Sequence, residues 1–318
     1  MLFAVVRRLV LSVPVLVLVS ALIFVLTALL PGNVTWTILG GPPGVSGVAP
    51  SRYKLLGHQL GLDQSLPVRY WHWLTAAIHG DLGKSLFTYQ PVTQQITERL
   101  PVTISLIIGA LVISLVVGVA LGVVSAVRGG AVGRGVDVLA MGGWVLPGFW
   151  IMAQLVVLFA VEVKVFPAVG YVPFTESPGR WFHSLVLPWV ALSLAAIGLF
   201  AKFTRQEMMD ALSSEYVLMA RANGVTRASI IFRHAFKTAS LQVVTQAGMF
   251  TISLLLGSIF AEIVFALPGL GSLLIDSATN HDLPVVEGVA VFFTLIVILV
   301  NLVTDLIYGL LSPKVRTE

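Results

Sequence analysis

Apolar and polar positions alternate along this chain in long blocks, and the apolar blocks form six runs, approximately Leu9–Leu30, Val102–Val127, Val136–Val161, Ser184–Phe203, Leu241–Phe265 and Val289–Leu311. A helix needs about 20 residues to cross a hydrocarbon core, so each run predicts a membrane-spanning helix. The first run opens after Arg7 and Arg8 in the manner of a signal peptide, but it exceeds the about 7–15 residues of an h-region and reads as a retained helix. Between the first two runs, Pro42, Pro43, Gly44 and Gly47 interrupt the chain, and Leu66, Tyr70, Trp73 and Leu74 then recur at helical spacing. That spacing predicts a short amphipathic helix whose aromatic rings rest at the headgroup level as an interfacial cap.

The polar stretch that stands out is Ser213–Lys237, SSEYVLMARANGVTRASIIFRHAFK, set between the fourth and fifth runs. Ser213 or Ser214 suits the cap of a first short helix, Glu215 complements the positive end of its dipole, and Gly224 suits the left-handed residue that ends it. Val225 covers the turn, and Thr226 suits the cap of a second helix that runs through Ile230, Ile231, Phe232 and Phe236 toward the fifth run. Tyr216, Val217, Met219 and Ala220 give the first helix a face able to enter an apolar groove on a partner, with Arg221, Arg227 and Arg233 around it. We read the segment as a docking handle. A DNA-binding helix-turn-helix has a similar pattern, but tethering to spans at both ends denies it access to a duplex, and no nucleic-acid partner is expected. A basic loop that only holds topology and touches lipid phosphates is the other reading.

Composition narrows the class. The chain is 57% apolar and 11% charged, against roughly 25% charged in a soluble domain, which places it among integral membrane proteins with a single transmembrane domain over 1–318. With no cysteine there are no disulfides, thiolate metal sites or thiol nucleophiles. Arg7, Arg8, Arg128, Arg134, Lys202, Arg205, Arg221, Arg227, Arg233, Lys237, Lys314 and Arg316 fall on one side of the spans, whereas the short loops opposite carry only Lys164 and Arg180. Positive charge stays in the cytoplasm, so both termini and the loop 204–240 are expected there, and the long segment 31–100 outside. The net charge of +4 reflects this topology.

Chemistry of other kinds finds little support. Gly83, Lys84 and Ser85 end like a phosphate loop, but Ile78 stands where the leading glycine belongs, so no nucleotide site of its own is expected. A secondary carrier would carry ionisable residues inside its spans, and these read as nearly uncharged, the clear exception being Asp305. Asn301, Asp305 and Tyr308 share one helix face, either as gate or pathway residues or as a polar clamp to a neighbouring helix. His58, His72, His79, His183, His234 and His281 sit in loops or at span ends, away from a buried serine, which speaks against an intramembrane hydrolase. Gly109, Gly118 and Gly122 suggest close helix approach, either within the chain or at a partner subunit. Pro147 with Gly148 predict a break in the third span, and Pro188 a kink at the start of the fourth.

The residues also carry a family resemblance. ARANG at 220–224, with the arginine-rich helix after it, resembles the "EAA" loop through which permeases of ABC importers contact their ATPases. LLPGN at 29–33, LGLDQSLPVRYWHWL at 60–74, HGDLGKS at 79–85, PVTQQITERLPVT at 91–103, EIVFALPGLGSLL at 262–274 and NLVTDLIYGLLSPKVR at 301–316 resemble, in order, the first permease subunit of the dipeptide, oligopeptide and nickel group. Leu218 and Met219 depart from the Glu-Ala of the general loop, Gln242 from a proline, and Asn33 and Ser312 from aspartates.

The resemblance implies an all-α integral membrane protein with the type I ABC importer (MetI-like) fold, six transmembrane helices and a long extracytoplasmic loop after the first. It implies an inner-membrane subunit of a peptide importer in which Glu215, Tyr216, Ala220, Arg221, Ala222, Gly224 and Arg227, within a contact of Glu215–Arg233, couple to ATPases. Pro268 and Gly269 would lie in a re-entrant turn near an outer gate. The implied partners are a second permease, two ATPases carrying ATP and Mg, an extracytoplasmic binding protein and lipid; the chain itself is expected to bind no cofactor or metal.

Overall fold

The computed structural model describes residues 2–29, 34–43, 45, 47–59 and 61–311. The LLPGN motif beyond Leu29, Gly44, Leu60, and Ser312 with Lys314 and Arg316 lie outside the described residues. Regular structure among the described residues is helical apart from one isolated bridge between Lys84 and Pro91. Five helices are long and apolar enough to cross a membrane, or six if a bent pair counts as one span. Close contacts divide the chain into two units, residues 102–267 with 300–318, and residues 2–101 with 268–299.

The first unit is built around a single buried helix. It contains most of α5 (Val92–Arg128), then α6 (Gly130–Val145), α7 (Gly148–Val156), α8 (Pro178–Ser213), α9 (Glu215–Ala222), α10 (Arg227–Ser229), α11 (Phe236–Val264) and the end of α13 (Leu283–Leu311). In α8, 67% of the most apolar window is buried, so this helix is apolar because it is core. Its neighbours reach it through small residues. A Cβ on Gly118 would lie 2.6 Å from Phe200 Cβ, and one on Gly122 2.5 Å from Thr204 Cβ. Gly109 gives way to the Trp189 ring, whose Nε1 donates to the Ser105 carbonyl at 2.8 Å. These three glycines therefore serve packing inside the chain. From α6, Ala140 presses on Gly198, and from α11, Val243 joins Ala196 and Phe200 in a buried cluster.

The third apolar run is divided. Leu146 and Pro147 take extended backbone, with ψ of 132° and 127°, because a residue before proline is pushed out of the helical region. α6 and α7 meet there as a sharply bent pair, and a π-helical turn, Val157–Glu162, continues α7. Pro188, by contrast, lies inside an unbroken α8.

The second unit holds α1 (Leu2–Ala28), α2 (Val34–Ile38), α3 (Pro50–Gln59), α4 (Leu66–Ile78), the first turns of α5, α12 (Leu270–Thr279) and the start of α13. Only 11% of the most apolar window of α1 is buried within the chain, so most of its side chains face outward. The amphipathic helix α4 forms, and its Tyr70 packs on α1. Tyr70 donates to the Val17 carbonyl of α1 at 3.0 Å, shares a 2.8 Å hydrogen bond with Ser20 and packs edge-on against Phe24.

Candidate functional site

The docking segment is rooted in the first unit. α8 runs past the end of its apolar run to Ser213, so that Met208 and Ala211 are buried against Ala235 and Ala239 with Val123, Ala126 and Phe236 around them. That cluster gives the segment a base of packed side chains rather than a loop. The chain then turns at Ser214, which has extended backbone. Ser214 sits at the cap position, yet its hydroxyl donates back to Ala211 O at 2.5 Å and that of Ser213 to Asp210 O at 3.0 Å, so neither side chain caps α9. The Ser214 carbonyl starts the helix by accepting from Val217 and Leu218. Glu215 occupies the first turn, at the positive end of the helix dipole.

α9 ends at the left-handed glycine. Gly224 has φ +76°, its N–H donates to Arg221 O and that of Val225 to Ala220 O, both at 3.0 Å. This crossed pair of bonds is the Schellman closure, which turns the chain sharply at little strain only when the residue lacks a Cβ. Thr226 sits in extended backbone before α10 without a side-chain cap, and a π-helical turn, Ile230–Ala235, then joins α10 to α11.

The orientation of α9 corrects the face inferred from sequence. Val217 is fully buried and faces its own chain, while Ala220 is half-buried. Glu215, Leu218, Met219 and Ala222, at helical spacing, point outward, Leu218 at 57% and Met219 at 68% exposure. Leu218, noted in the sequence only as a departure from a motif, thus belongs to the outward stripe, and its spacing from Met219 and Ala222 was the available signal. Tyr216 is exposed and its hydroxyl meets Thr238 Oγ1 of α11 at 3.3 Å, which ties the side of α9 to the span.

Arg221 and Arg227 line a common cleft of about 700 Å³, with Val127, Met209 and Ile231 among its apolar walls. Arg233 is exposed on the π turn. Arg205, counted in the sequence as a topology charge, instead forms a two-pronged pair with Asp137 of α6, at 3.0 and 2.9 Å, with Gly133 making room for its guanidinium.

The remaining candidates are separate from this segment. Asn301 and Tyr308 of α13 are exposed and Asp305 between them is half-buried. α13 approaches α11 at Gly248, whose missing Cβ accommodates the Thr304 side chain. Pro268 is exposed, while Gly269 is buried in extended backbone as the residue before α12.

The spans are less free of charge than the sequence suggested. Glu262 of α11 is fully buried and accepts a 2.7 Å hydrogen bond from Thr103 of α5. In the second unit Glu287 of α13 is buried beside Thr27 of α1. Asp282, at the foot of α13, clamps the loop after Gly83: its carboxylate accepts from Ser85 Oγ at 2.5 Å and from the Leu86 N–H at 3.0 Å. Ser85 Oγ accepts in turn from Phe87 and Thr88. Burial raises the Asp282 carboxyl above its ordinary value, and the two hydrogen bonds pull it partly back.

Residues 118–317 match the family described as binding-protein-dependent transport system inner membrane component, and residues 1–107 match its N-terminal counterpart. A putative peptide transport system permease protein of Brucella abortus is 40% identical over 313 residues, covering 98% of each chain. The glutathione transport system permease protein GsiC of Pectobacterium atrosepticum is 35% identical over 312 residues, again 98% of each. Among solved structures, a chain of the MetNI methionine ABC transporter in an inward-facing conformation aligns with a TM-score of 0.55 and 18% identity, covering 69% of this chain and 97% of that one.

Proposed function

The chain belongs to the binding-protein-dependent transport system inner membrane components and is a permease subunit of an ABC importer; on that premise we propose that it forms half of a translocation pathway for peptides or a similar small solute. The other half is a second permease of the same kind, and ATP with Mg is held by two partner ATPases in the cytoplasm. Both termini and the segment 204–240 face the cytoplasm, and an extracytoplasmic binding protein delivers solute to the opposite face. The names of the similar peptide and glutathione permeases support the substrate class.

The observation that carries this reading is the outward stripe of Leu218, Met219 and Ala222 on a short helix whose inner residue, Val217, is locked to its own chain. Apolar side chains on a rigid, polar-flanked knob fit a partner's groove, and the packing beneath them turns a push on α9 into rigid-body movement of α8 and α11. An ion-coupled carrier has no use for such a knob. Asn301, Asp305, Pro268 and Gly269 remain our candidates for the gate or pathway.

The test is uptake into proteoliposomes. Vesicles with this chain, its companion permease and the ATPases should accumulate a labelled peptide only with ATP on the side of the ATPases and the binding protein on the other. Accumulation by this chain alone under an imposed proton or sodium gradient would overturn the proposal in favour of a carrier.

A further inference from the structure

The second unit contains a cavity of about 340 Å³ into which two opposite charges project, and no part of the docking segment touches it. Arg69 of α4 and Glu287 of α13 both line it, with Gln64 and His72 at polar positions and Phe24, Leu62 and Leu283 supplying apolar wall. Glu287 is 5% exposed. A carboxylate so deeply buried needs strong donors, and this one is short of them. Its hydrogen bond comes from Thr27 Oγ1 at 3.3 Å, and the same hydroxyl also donates to the Phe24 carbonyl at 3.0 Å. One hydroxyl has one proton, so the nearer carbonyl takes most of it.

Arg69 acts on Glu287 only through space, across the cavity. Among the described residues no ion pair within 4 Å joins it to Glu287; the guanidinium lies over the Phe24 ring instead, 5.6 Å from the centroid. Arg69 thus lines the cavity without a carboxylate among the described residues close enough to form an ion pair. The cavity therefore offers an unfilled demand for a cation at Glu287, an available donor fork at Arg69, and hydrocarbon walls beside both.

The geometry points to a binding site for a small zwitterion: an α-amino acid or dipeptide whose ammonium group pairs with Glu287, whose carboxylate pairs with Arg69, and whose apolar side chain lies against Leu62 and Leu283. The volume suits one or two residues and is too small for a long peptide. Under the orientation proposed above the site faces incoming solute. It stands apart from ATPase docking, so failed uptake in the vesicle assay would leave it untouched, and failed binding would leave docking untouched.

Purified full-length chain in lipid nanodiscs, without partners, tests it by equilibrium dialysis with radiolabelled L-leucine and alanyl-leucine. Saturable binding of either is expected, and N-acetyl-leucine and leucinamide, each of which lacks one charge, should displace the probe at least about tenfold more weakly than the unblocked compound. Preference for leucine alone identifies a free amino acid as the ligand; preference for the dipeptide identifies a peptide. Glu287→Gln should abolish discrimination against the acetylated compound, and Arg69→Met against the amide, with melting temperature reporting the fold. Leu62→Trp, which fills the cavity from its wall, provides the same loss without touching a charge. Absence of binding up to about 10 mM of both probes, or equal affinity for charged and blocked analogues, would overturn the proposal.

Discussion

The hydroxyl of Thr103 in α5 donates to the carboxylate of Glu262 in α11 at 2.7 Å, and both side chains are fully buried. A hydrogen bond to a charged or acidic group in such a place is worth more than one at the surface, because the alternative is a polar atom in hydrocarbon. Thr103→Val should therefore lower the stability of the detergent-solubilised chain by about 1–3 kcal/mol, whereas Thr103→Ser should cost less than half of that. Thermal melting of the two variants checks it; equal melting temperatures would show that Glu262 is satisfied without Thr103.

The glycines of α5 make a second prediction. Adding a methyl at Gly122 brings it against Thr204 Cβ and within 2.7 Å of the Ala201 carbonyl, neither of which is the tip of a flexible side chain. Gly122→Ala and Gly118→Ala should each cost about 1–3 kcal/mol by pushing α5 away from α8. Gly135→Ala in α6, where nothing lies within 4 Å, is the control and should gain slightly from helix propensity. Chemical denaturation in mixed micelles would rank the three.

How far could these relationships be read from the chain itself? The helical architecture could, because apolar runs of span length leave no other structure available in lipid, and the break at Pro147 follows from proline's effect on the residue before it. Gly224 was legible for the same local reason: a left-handed turn between two helical patterns calls for the residue without a side chain. The buried carboxylates were not. Thr103 and Glu262 are 159 positions apart, and Thr27 and Glu287 260 apart, so nothing local marks the partner. The inner face of α9 was missed because Val217, Leu218 and Met219 are equally apolar; which one is buried depends on the angle at which Ser214 releases the helix, and that angle is set by tertiary packing.

Acidity provides a third check. Burial holds the Asp282 carboxyl above its ordinary 3.8, against the opposing pull of Ser85 and Leu86. Because the folded value is the higher one, the folded chain binds the proton more tightly. The contribution of this group to stability is therefore complete below 3.8 and is lost as pH rises through the folded value. Acidifying from about pH 7 to about pH 4 should raise the melting temperature of the parent chain relative to Asp282→Asn, in which that slope is removed. A parent chain that loses stability faster than the variant on acidification would contradict this assignment.

Gly224 provides a fourth. With φ +76° and no atom within 4 Å of a Cβ, the position penalises side chains through backbone strain alone. Gly224→Asn, which tolerates left-handed backbone, should keep most uptake, whereas Gly224→Val should cost about 1–2 kcal/mol locally and swing α9 off its axis. Gly224→Asp tolerates the same backbone as Asn but adds a negative charge beside the contact, and should leave the complex assembled or only weakened while transport per ATP hydrolysed falls. Uptake and ATPase rates measured side by side separate this from simple loss of protein.

The cysteine-free sequence makes the central claim directly accessible. Met219→Cys places a single thiol on the outward stripe of α9, and Val138→Cys places one on an equally exposed surface of α6. Treated in membranes with a thiol-to-amine cross-linker in the presence of the companion ATPases, the Met219 variant should yield an adduct of permease with ATPase that depends on both proteins, and the Val138 variant should not. An adduct at Val138 with none at Met219, or ATPase bound to the complex while Met219 remains fully open to a soluble maleimide, would show that the motor grips some other surface.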